Sequence, residues 1–171
     1  YDAAQRQATK DAAQIAGLTV MRLLSEPTAA SLGHGAHRGA DRKYLVCDLG
    51  GGTFDVAAVD VEAGIFEVLA TTGDAFLGGD DIDRIVVENL TRDVRSARGF
   101  DITSDTTAVE RLRLAARATK HDLSEVSASM IYVPELVQLP SGKALEYEKP
   151  LRRDELEQWA APLISRIEAP I

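Results

Sequence analysis

The spacing of apolar residues changes between helical and strand periods in the first part of the chain. Alanines three or four residues apart follow Asp2, an N-cap residue, and Gly17 ends the pattern. We therefore expect a first helix through about residue 16. Pro27 is typical of a first helical turn. After the first helix, the predicted elements are a strand at residues 19–24, a helix at 28–32 and a loop at 33–39.

Three β-rich runs then predict a meander. They cover residues 43–48, 53–61 and 65–71, and the connections between them are residues 50–52, all glycine, and 62–64. Connections this short join only antiparallel neighbours, because parallel strands need a crossover. Cys47 lies within the first run, which predicts a buried core thiol.

Helical spacing dominates the second half. An apolar stripe that ends at Gly99 predicts a helix at residues 80–97, and Ser104 or Asp105 caps a second helix that extends to about residue 124. The elements predicted after it are strands at residues 128–133, 136–139 and 144–147, the last two joined by Ser141-Gly142, and a helix from about Asp154.

This mixture of strands and helices favours an α/β or α+β layered domain. We expect a division into residues 1–78, which carry the meander, and residues 79–171, a helix-rich outer subdomain with a returning helix.

Composition narrows the classes of partner. The chain has 171 residues and a net charge of −8, from 27 acidic and 19 basic side chains. This balance gives no basic surface for nucleic acid or an anionic membrane. A single cysteine cannot form an internal disulfide, and no apolar run approaches the ~18 residues that a membrane span needs. Both features predict a cytoplasmic protein. Without an initiator Met, and with helical spacing up to its last residues, the chain is expected to be a piece of a longer protein.

The sharpest local feature is the segment DLGGGTFD at residues 48–55, between two predicted strands. Successive glycine N–H groups can face one point and bind phosphate oxygens, and Thr53 adds a hydroxyl donor. Asp48 and Asp55 suit such a site only beside a cation such as Mg²⁺, held mainly through water. A plain glycine-rich hairpin with capping aspartates would give the same pattern.

Four segments together carry a resemblance to a known family. Besides DLGGGTFD they are AQRQATKD at residues 4–11, EPTAA at 26–30 and GDAFLGG at 73–79. In this order they resemble the heat shock protein 70 (DnaK) chaperone family over essentially the whole chain. The resemblance implies an ATPase-domain fragment of the actin-like (ribonuclease H-like) α/β fold, with a mixed sheet and an antiparallel phosphate-binding hairpin.

The resemblance also implies a function and partners. The full-length parent would be an ATP-hydrolysing chaperone of the stress response that assists protein folding, and the fragment alone would be inactive. Client peptides would bind through a missing domain. A J-domain co-chaperone would be a partner, and a GrpE-type nucleotide exchange factor would grip residues 79–171.

Residue roles follow from the same resemblance. Glu26, Asp48 and Thr53 would be catalytic, with Glu26 near the attacking water, and Asp48 and Asp55 would order Mg²⁺ water or K⁺. The residues that would contact ATP or ADP are Gly50, Gly51, Gly52, Thr53, Gly79, Arg117, Lys120, His121 and Ser124. Arg117 stands where the family has a glutamate, so we expect weaker nucleoside recognition and repulsion toward Lys120.

Several features keep alternatives open. An actin-like filament protein could share the phosphate hairpin, and Arg117 is compatible with a nucleotide sensor that does not catalyse. Glu26 alone could be a first-turn carboxylate that complements a helix dipole. The same interpretation is given to Asp80, Asp81 and Asp83, whereas His34, His37 and His121 lack partners at zinc spacing and predict surface histidines.

Overall fold

Helices and strands follow one another in groups along the chain in the computed structural model, which describes residues 2–36, 41–138 and 142–170. The elements in chain order are α1 (Ala3–Ile15), α2 (Glu26–Gly33), β1 (Arg42–Leu49), β2 (Phe54–Glu62), β3 (Ile65–Asp74), α3 (Gly79–Arg98), α4 (Thr106–Glu125), β4 (Ala128–Gln138), β5 (Ala144–Arg152) and α5 (Arg153–Glu168). The mixed α/β class predicted from the sequence is confirmed. None of the described helices is long and apolar enough to cross a membrane.

Contacts divide the chain into two compact units. The first unit consists of residues 1–47 and 56–71, and the second of residues 48–55 and 72–171. The glycine-rich loop therefore belongs to the unit that also holds α3, α4 and α5. The sequence analysis expected a different division, into residues 1–78 and 79–171, and that division stays a prediction.

The first unit contains most of a three-stranded sheet in the order β1-β2-β3. This order confirms the predicted meander. The inward side chains of β2 form a small core with Ala36, and Tyr44, Val46 and Phe66 pack against it. The buried members from β2 are Ala57, Val59 and Val61.

Two details of the first unit differ from the sequence predictions. Residues 19–24 form no strand, because an apolar run needs a partner strand to complete its ladder. Asp2 is the N-cap of helix α1, as expected, in a capping box with Gln5, and the helix buries no side chain. Cys47 is exposed and not buried, since β1 alternates and turns Leu45, Cys47 and Leu49 to its exposed side.

The predicted loop at residues 33–39 is only partly described. Residues 37–40, including His37, lie outside the described residues. His34 is exposed and caps the end of α2.

The core of the second unit lies between two helices and a β-hairpin. Val86, Leu90 and Val94 of α3 pack with Leu112 and Ala116 of α4, which confirms the stripes predicted from the 3.6-residue period. Gly99 ends α3 in a left-handed conformation with φ 71°, and Asp105 caps α4.

Strand β4 is one continuous element where the sequence predicted two. It pairs antiparallel with β5, from Ala128 opposite Arg152 to Gln138 opposite Ala144, and its register shifts between Val133 and Val137. This irregularity accommodates Pro134, which has no N–H for the ladder. The predicted turn at Ser141-Gly142 falls partly on residues 139–141, outside the described residues.

Helix α5 closes the second unit against the end of α4. Arg153 Nε donates to Leu123 O at 2.7 Å, and its terminal nitrogen donates to Val126 O at 3.1 Å. A guanidinium at these carbonyls satisfies acceptors that a helix leaves open at its C-terminus. The contact fixes the last turn of α4 beside α5.

Candidate functional site

The glycine-rich loop connects β1 to β2 and exposes its backbone. Gly50 N–H donates to Thr53 O at 2.9 Å and closes the turn. Within the described part of the chain, the N–H groups of Gly51, Gly52 and Thr53 donate to no backbone carbonyl, and all three residues are exposed. Successive N–H groups in a turn that have no backbone partner are suited to an anion. Binding of phosphates by this loop stays a prediction.

The N-terminus of α3 packs directly on this loop. Gly79 N–H donates to Gly50 O at 3.0 Å, and Asp80 N–H donates to Gly51 O at 2.8 Å. These bonds orient the loop carbonyls toward α3 and satisfy two first-turn donors of that helix.

Gly78 makes this approach possible. A Cβ atom at this position would lie 2.2 Å from Gly51 O. The sequence analysis assigned a nucleotide contact to Gly79 and none to Gly78. At Gly79 an added Cβ would be 3.6 Å from Lys120 Nζ, which is an ordinary contact.

Two carboxylates fix the segment between β3 and α3. Asp74 accepts from Phe76 N–H at 2.9 Å and from Arg166 at 2.6 Å, and these contacts lower the pKa of Asp74. Asp81 bonds to Arg84 at 3.1 Å and accepts from Gly78 N–H at 3.0 Å, which lowers the pKa of Asp81. Both groups are therefore negative at neutral pH and hold the backbone that contacts the glycine loop.

The predicted metal residues do not form a cage. Asp55 is exposed and Asp48 is half-buried, at the two ends of the loop. Among residues 2–36, 41–138 and 142–170, no three Asp, Glu, His or Cys side chains come together as a metal site. Two carboxylates beside an anion nest suit a cation that keeps most of its water ligands, as Mg²⁺ does.

Glu26 is the first residue of α2 and belongs to the first unit. It has an exposed side chain and a carboxylate in the first helical turn. Its assignment to the attacking water stays a prediction.

A groove in the second unit brings together three of the four residues predicted for the nucleoside. Lys120, His121 and Ser124 of α4 line it, and its volume is about 1110 Å³. Its apolar wall comes from α3, α4 and α5, with Ile82, Leu123, Leu156, Ala160 and Ile164. An open apolar groove with a few polar groups is suited to a flat, partly polar ligand. Arg117 is not among the described residues that line it.

Lys120 connects the groove to the glycine loop. Its ammonium donates to Gly79 O at 3.1 Å, and Gly79 N–H in turn bonds to the loop carbonyl of Gly50. The same ammonium lies 2.5 Å from Asp83 Oδ1. The groove and the anion nest are therefore joined through one residue, Gly79.

Asp83 is the site residue that sequence reasoning missed. It was interpreted as helix-terminal charge, but it is only 2% exposed. The signal was its position: residues 83, 86, 90 and 94 share one face of α3. A carboxylate on the buried face of an amphipathic helix predicts a partner charge on the element packed against it.

Comparisons with known proteins agree on one family. The model of the Hsp70 protein family matches residues 1–171. The chain is 46% identical over 171 residues to the chaperone protein dnaK of Emiliania huxleyi and 45% identical over 172 residues to the chaperone protein DnaK of Prochlorococcus marinus (strain MIT 9515). It is 43% identical over 170 residues to the mitochondrial heat shock 70 kDa protein of Dictyostelium discoideum.

These matches cover 99–100% of this chain but only 26–27% of each relative. The chain spans about a quarter of the length of the curated relatives it matches.

Proposed function

Because this chain belongs to the Hsp70 protein family, we propose that it forms the central part of the nucleotide-binding domain of an ATP-hydrolysing chaperone. The observation that carries the proposal is Lys120, which lines the groove and bonds through Gly79 to the glycine loop. A nucleoside in the groove and a polyphosphate at the loop would be parts of one ligand, ATP or ADP.

The phosphates would be bound by backbone donors. The N–H groups of Gly51, Gly52 and Thr53 suit the anionic oxygens, and the Thr53 hydroxyl adds a donor. Backbone donors fixed by the Gly79 and Asp80 bonds need no rearrangement when charge develops during phosphoryl transfer. Gly79 would lie near the phosphates because it contacts Gly50.

The carboxylates would act on water and cations. Asp48 and Asp55 suit the hydrated Mg²⁺ of the nucleotide, with K⁺ as a second cation, and Glu26 would orient the attacking water. Mg²⁺ would neutralise negative charge on the phosphates when bound. These side chains would therefore affect the rate of hydrolysis more than the affinity for adenine.

The proposal extends to partners of the whole protein. The relatives are named chaperones, and this supports a folding-assisting protein over the actin-like filament protein considered from the sequence. Unfolded client peptides, a J-domain co-chaperone and a GrpE-type exchange factor acting on residues 79–171 remain parts of the proposal. The cytoplasmic location also stays a prediction, since one relative is named mitochondrial.

The experiment compares hydrolysis with binding in the full-length gene product. Single-turnover ATP hydrolysis and ADP affinity are measured for the wild type, Asp48→Asn and Glu26→Gln, with Glu67→Gln as a control for loss of an exposed carboxylate. We expect both site variants to lose roughly 100-fold or more in rate and to keep ADP affinity to within a few-fold.

Three outcomes would count against parts of this proposal. Equal losses of rate and affinity would mean that the carboxylates anchor the bound ground state. A wild type that binds ADP without hydrolysing ATP would be a sensor. Nucleotide-dependent light scattering by polymers would favour the filament protein.

A further inference from the structure

A buried carboxylate lies beside the groove, between α3 and α4. Asp83 is 2% exposed, and within the described part of the chain neither of its carboxylate oxygens accepts a hydrogen bond from a backbone N–H or from a neutral side chain. Its charge is compensated by two cations of α4: Lys120 Nζ is 2.5 Å from Oδ1, and Arg117 Nε is 3.9 Å from Oδ2. An ionised carboxylate that is removed from water needs such compensation.

The two cations are not equivalent. The Lys120 side chain is 18% exposed and the Arg117 side chain is 52% exposed. Lys120 is closer to Asp83 and also donates to Gly79 O at 3.1 Å, so its ammonium is fixed from two directions. Arg117 lies three residues earlier on the same helix face and reaches only the second oxygen of the carboxylate.

We propose that Asp83 is a positioning residue: it holds the Lys120 ammonium at the wall of the nucleoside groove. In this arrangement Arg117 pairs with Asp83 and does not contact the nucleoside. This inference rests on the proposed function. It differs from the sequence expectation, in which Arg117 faced the nucleoside and repelled Lys120.

This arrangement orders the Lys120 side chain in the protein without a bound ligand. A free lysine side chain loses rotamer entropy when it binds a ligand. Asp83 and Gly79 O fix Lys120 before any ligand arrives, so little of that cost falls on binding. The negative charge of Asp83 also neutralises the positive charge of the ammonium locally. Lys120 therefore acts mainly as a directed hydrogen-bond donor and attracts distant phosphates only weakly.

The same carboxylate explains how an arginine is accommodated at position 117. Two cations on one helix face repel each other, but here each lies next to an oxygen of Asp83. Removing Arg117 should therefore leave Lys120 bound to Asp83, since no second cation then competes for the carboxylate. Removing the Asp83 charge should release both cations.

The first test is adenosine binding by the full-length gene product carrying Asp83→Asn, with Glu88→Gln as the control. Glu88 is an exposed carboxylate on the same helix that pairs with Arg84. We expect adenosine affinity to fall about tenfold, since Lys120 must then be ordered on binding. ADP binding should become more dependent on salt, because two released cations attract phosphates. An Asp83→Asn protein with wild-type adenosine affinity and salt dependence would overturn the proposal.

The second test does not depend on ligand binding. The rate at which an amine-acylating reagent labels Lys120 is followed by mass spectrometry. We expect faster labelling in Asp83→Asn and equal or slower labelling in Arg117→Gln. The control Arg95→Gln, which breaks the pair of the exposed Arg95 with Asp101, should leave the rate unchanged. Equal Lys120 labelling in the wild type and Asp83→Asn would overturn the positioning role.

Arg117→Gln keeps the proposal testable if Asp83→Asn does not fold. We expect adenosine affinity and the preference for ribose over 2′-deoxyribose to stay within roughly twofold of the wild type, because an exposed cation that faces away contributes little. A changed ribose preference would place Arg117 at the nucleoside and contradict the inference. If instead the wild type binds no ADP but Lys120 labelling follows the expected order, the proposed function fails and the Asp83 contact stands.

Discussion

Replacing Gly78 by alanine should displace the glycine-rich loop from α3. An alanine Cβ would lie 2.2 Å from Gly51 O, 2.3 Å from Gly51 C and 2.5 Å from Gly52 N. All three atoms are backbone atoms and cannot rotate away. The backbone at Gly78 is extended, with φ −167°, a conformation that alanine adopts freely. The expected cost is therefore steric and does not come from backbone strain.

The magnitude follows from the contacts that must change. The loop has to retreat by roughly 1 Å to reach an ordinary van der Waals separation, and overpacking of this kind costs about 1–3 kcal/mol. The bonds from Gly79 N–H to Gly50 O and from Asp80 N–H to Gly51 O would weaken, each worth about 1 kcal/mol. We expect the free energy of unfolding to fall by roughly 2–5 kcal/mol, a large fraction of a typical domain's stability.

Urea unfolding of the chain measures this change. Trp159 is the only tryptophan and packs against the core of the second unit, so its fluorescence reports on the unit that contains the loop. The matched control is Gly52→Ala, whose Cβ would meet nothing within 4 Å and should leave stability unchanged to within about 0.5 kcal/mol. If Gly78→Ala and Gly52→Ala unfold at the same urea concentration, the reasoning about close approach is wrong.

Three further predictions concern hydrolysis, a buried tyrosine and nucleotide-dependent exchange. The chain alone, which spans about a quarter of its relatives' length, should hydrolyse ATP no faster than buffer; turnover that Asp48→Asn abolishes would contradict this. Tyr147→Phe should cost about 1–2 kcal/mol, because the Tyr147 hydroxyl donates to Asp93 at 2.8 Å, whereas Tyr132→Phe, at an exposed contact of 3.5 Å, should cost little. Burial, and to a smaller extent the hydrogen bond to Asp93, raise the pKa of Tyr147 above its ordinary value of 10. Because the folded state then keeps the hydroxyl proton at a pH where the unfolded state loses it, the free energy of unfolding should fall as pH rises above about 10. The fall should be less steep in Tyr147→Phe. In the full-length gene product, amides of residues 73–85 should exchange at different rates in the ADP-bound and nucleotide-free states, and identical rates would exclude a nucleotide-sensitive segment there.

Local patterns in the sequence predicted the helices of the second unit well. Val86, Leu90 and Val94 recur at helical spacing and are buried, and Gly99 ends α3 as expected. The short glycine connection also predicted the neighbouring β1 and β2. These features depend on the residues of one segment and its turn, so a single sequence is sufficient to reveal them.

Features that depend on distant segments were missed. Residues 19–24 carry a strand-like pattern, but a strand needs a partner, which no local pattern reveals. Asp83 lies on the buried face of α3, but its cationic partners Lys120 and Arg117 come from another helix. The need for glycine at position 78 arises from the approach of Gly51. The sequence therefore revealed the motifs of the candidate site, but it did not reveal the contacts between distant segments that hold these motifs together.

The central claim is that one nucleotide spans the glycine loop and the α4 groove. Amide hydrogen exchange of the full-length gene product, measured with ADP, adenosine and pyrophosphate in turn, tests it most directly. We predict that ADP protects both residues 50–53 and residues 117–124, that adenosine protects only residues 117–124, and that pyrophosphate protects only residues 50–53. Binding of ADP that protects neither segment, or only one of them, would contradict the account.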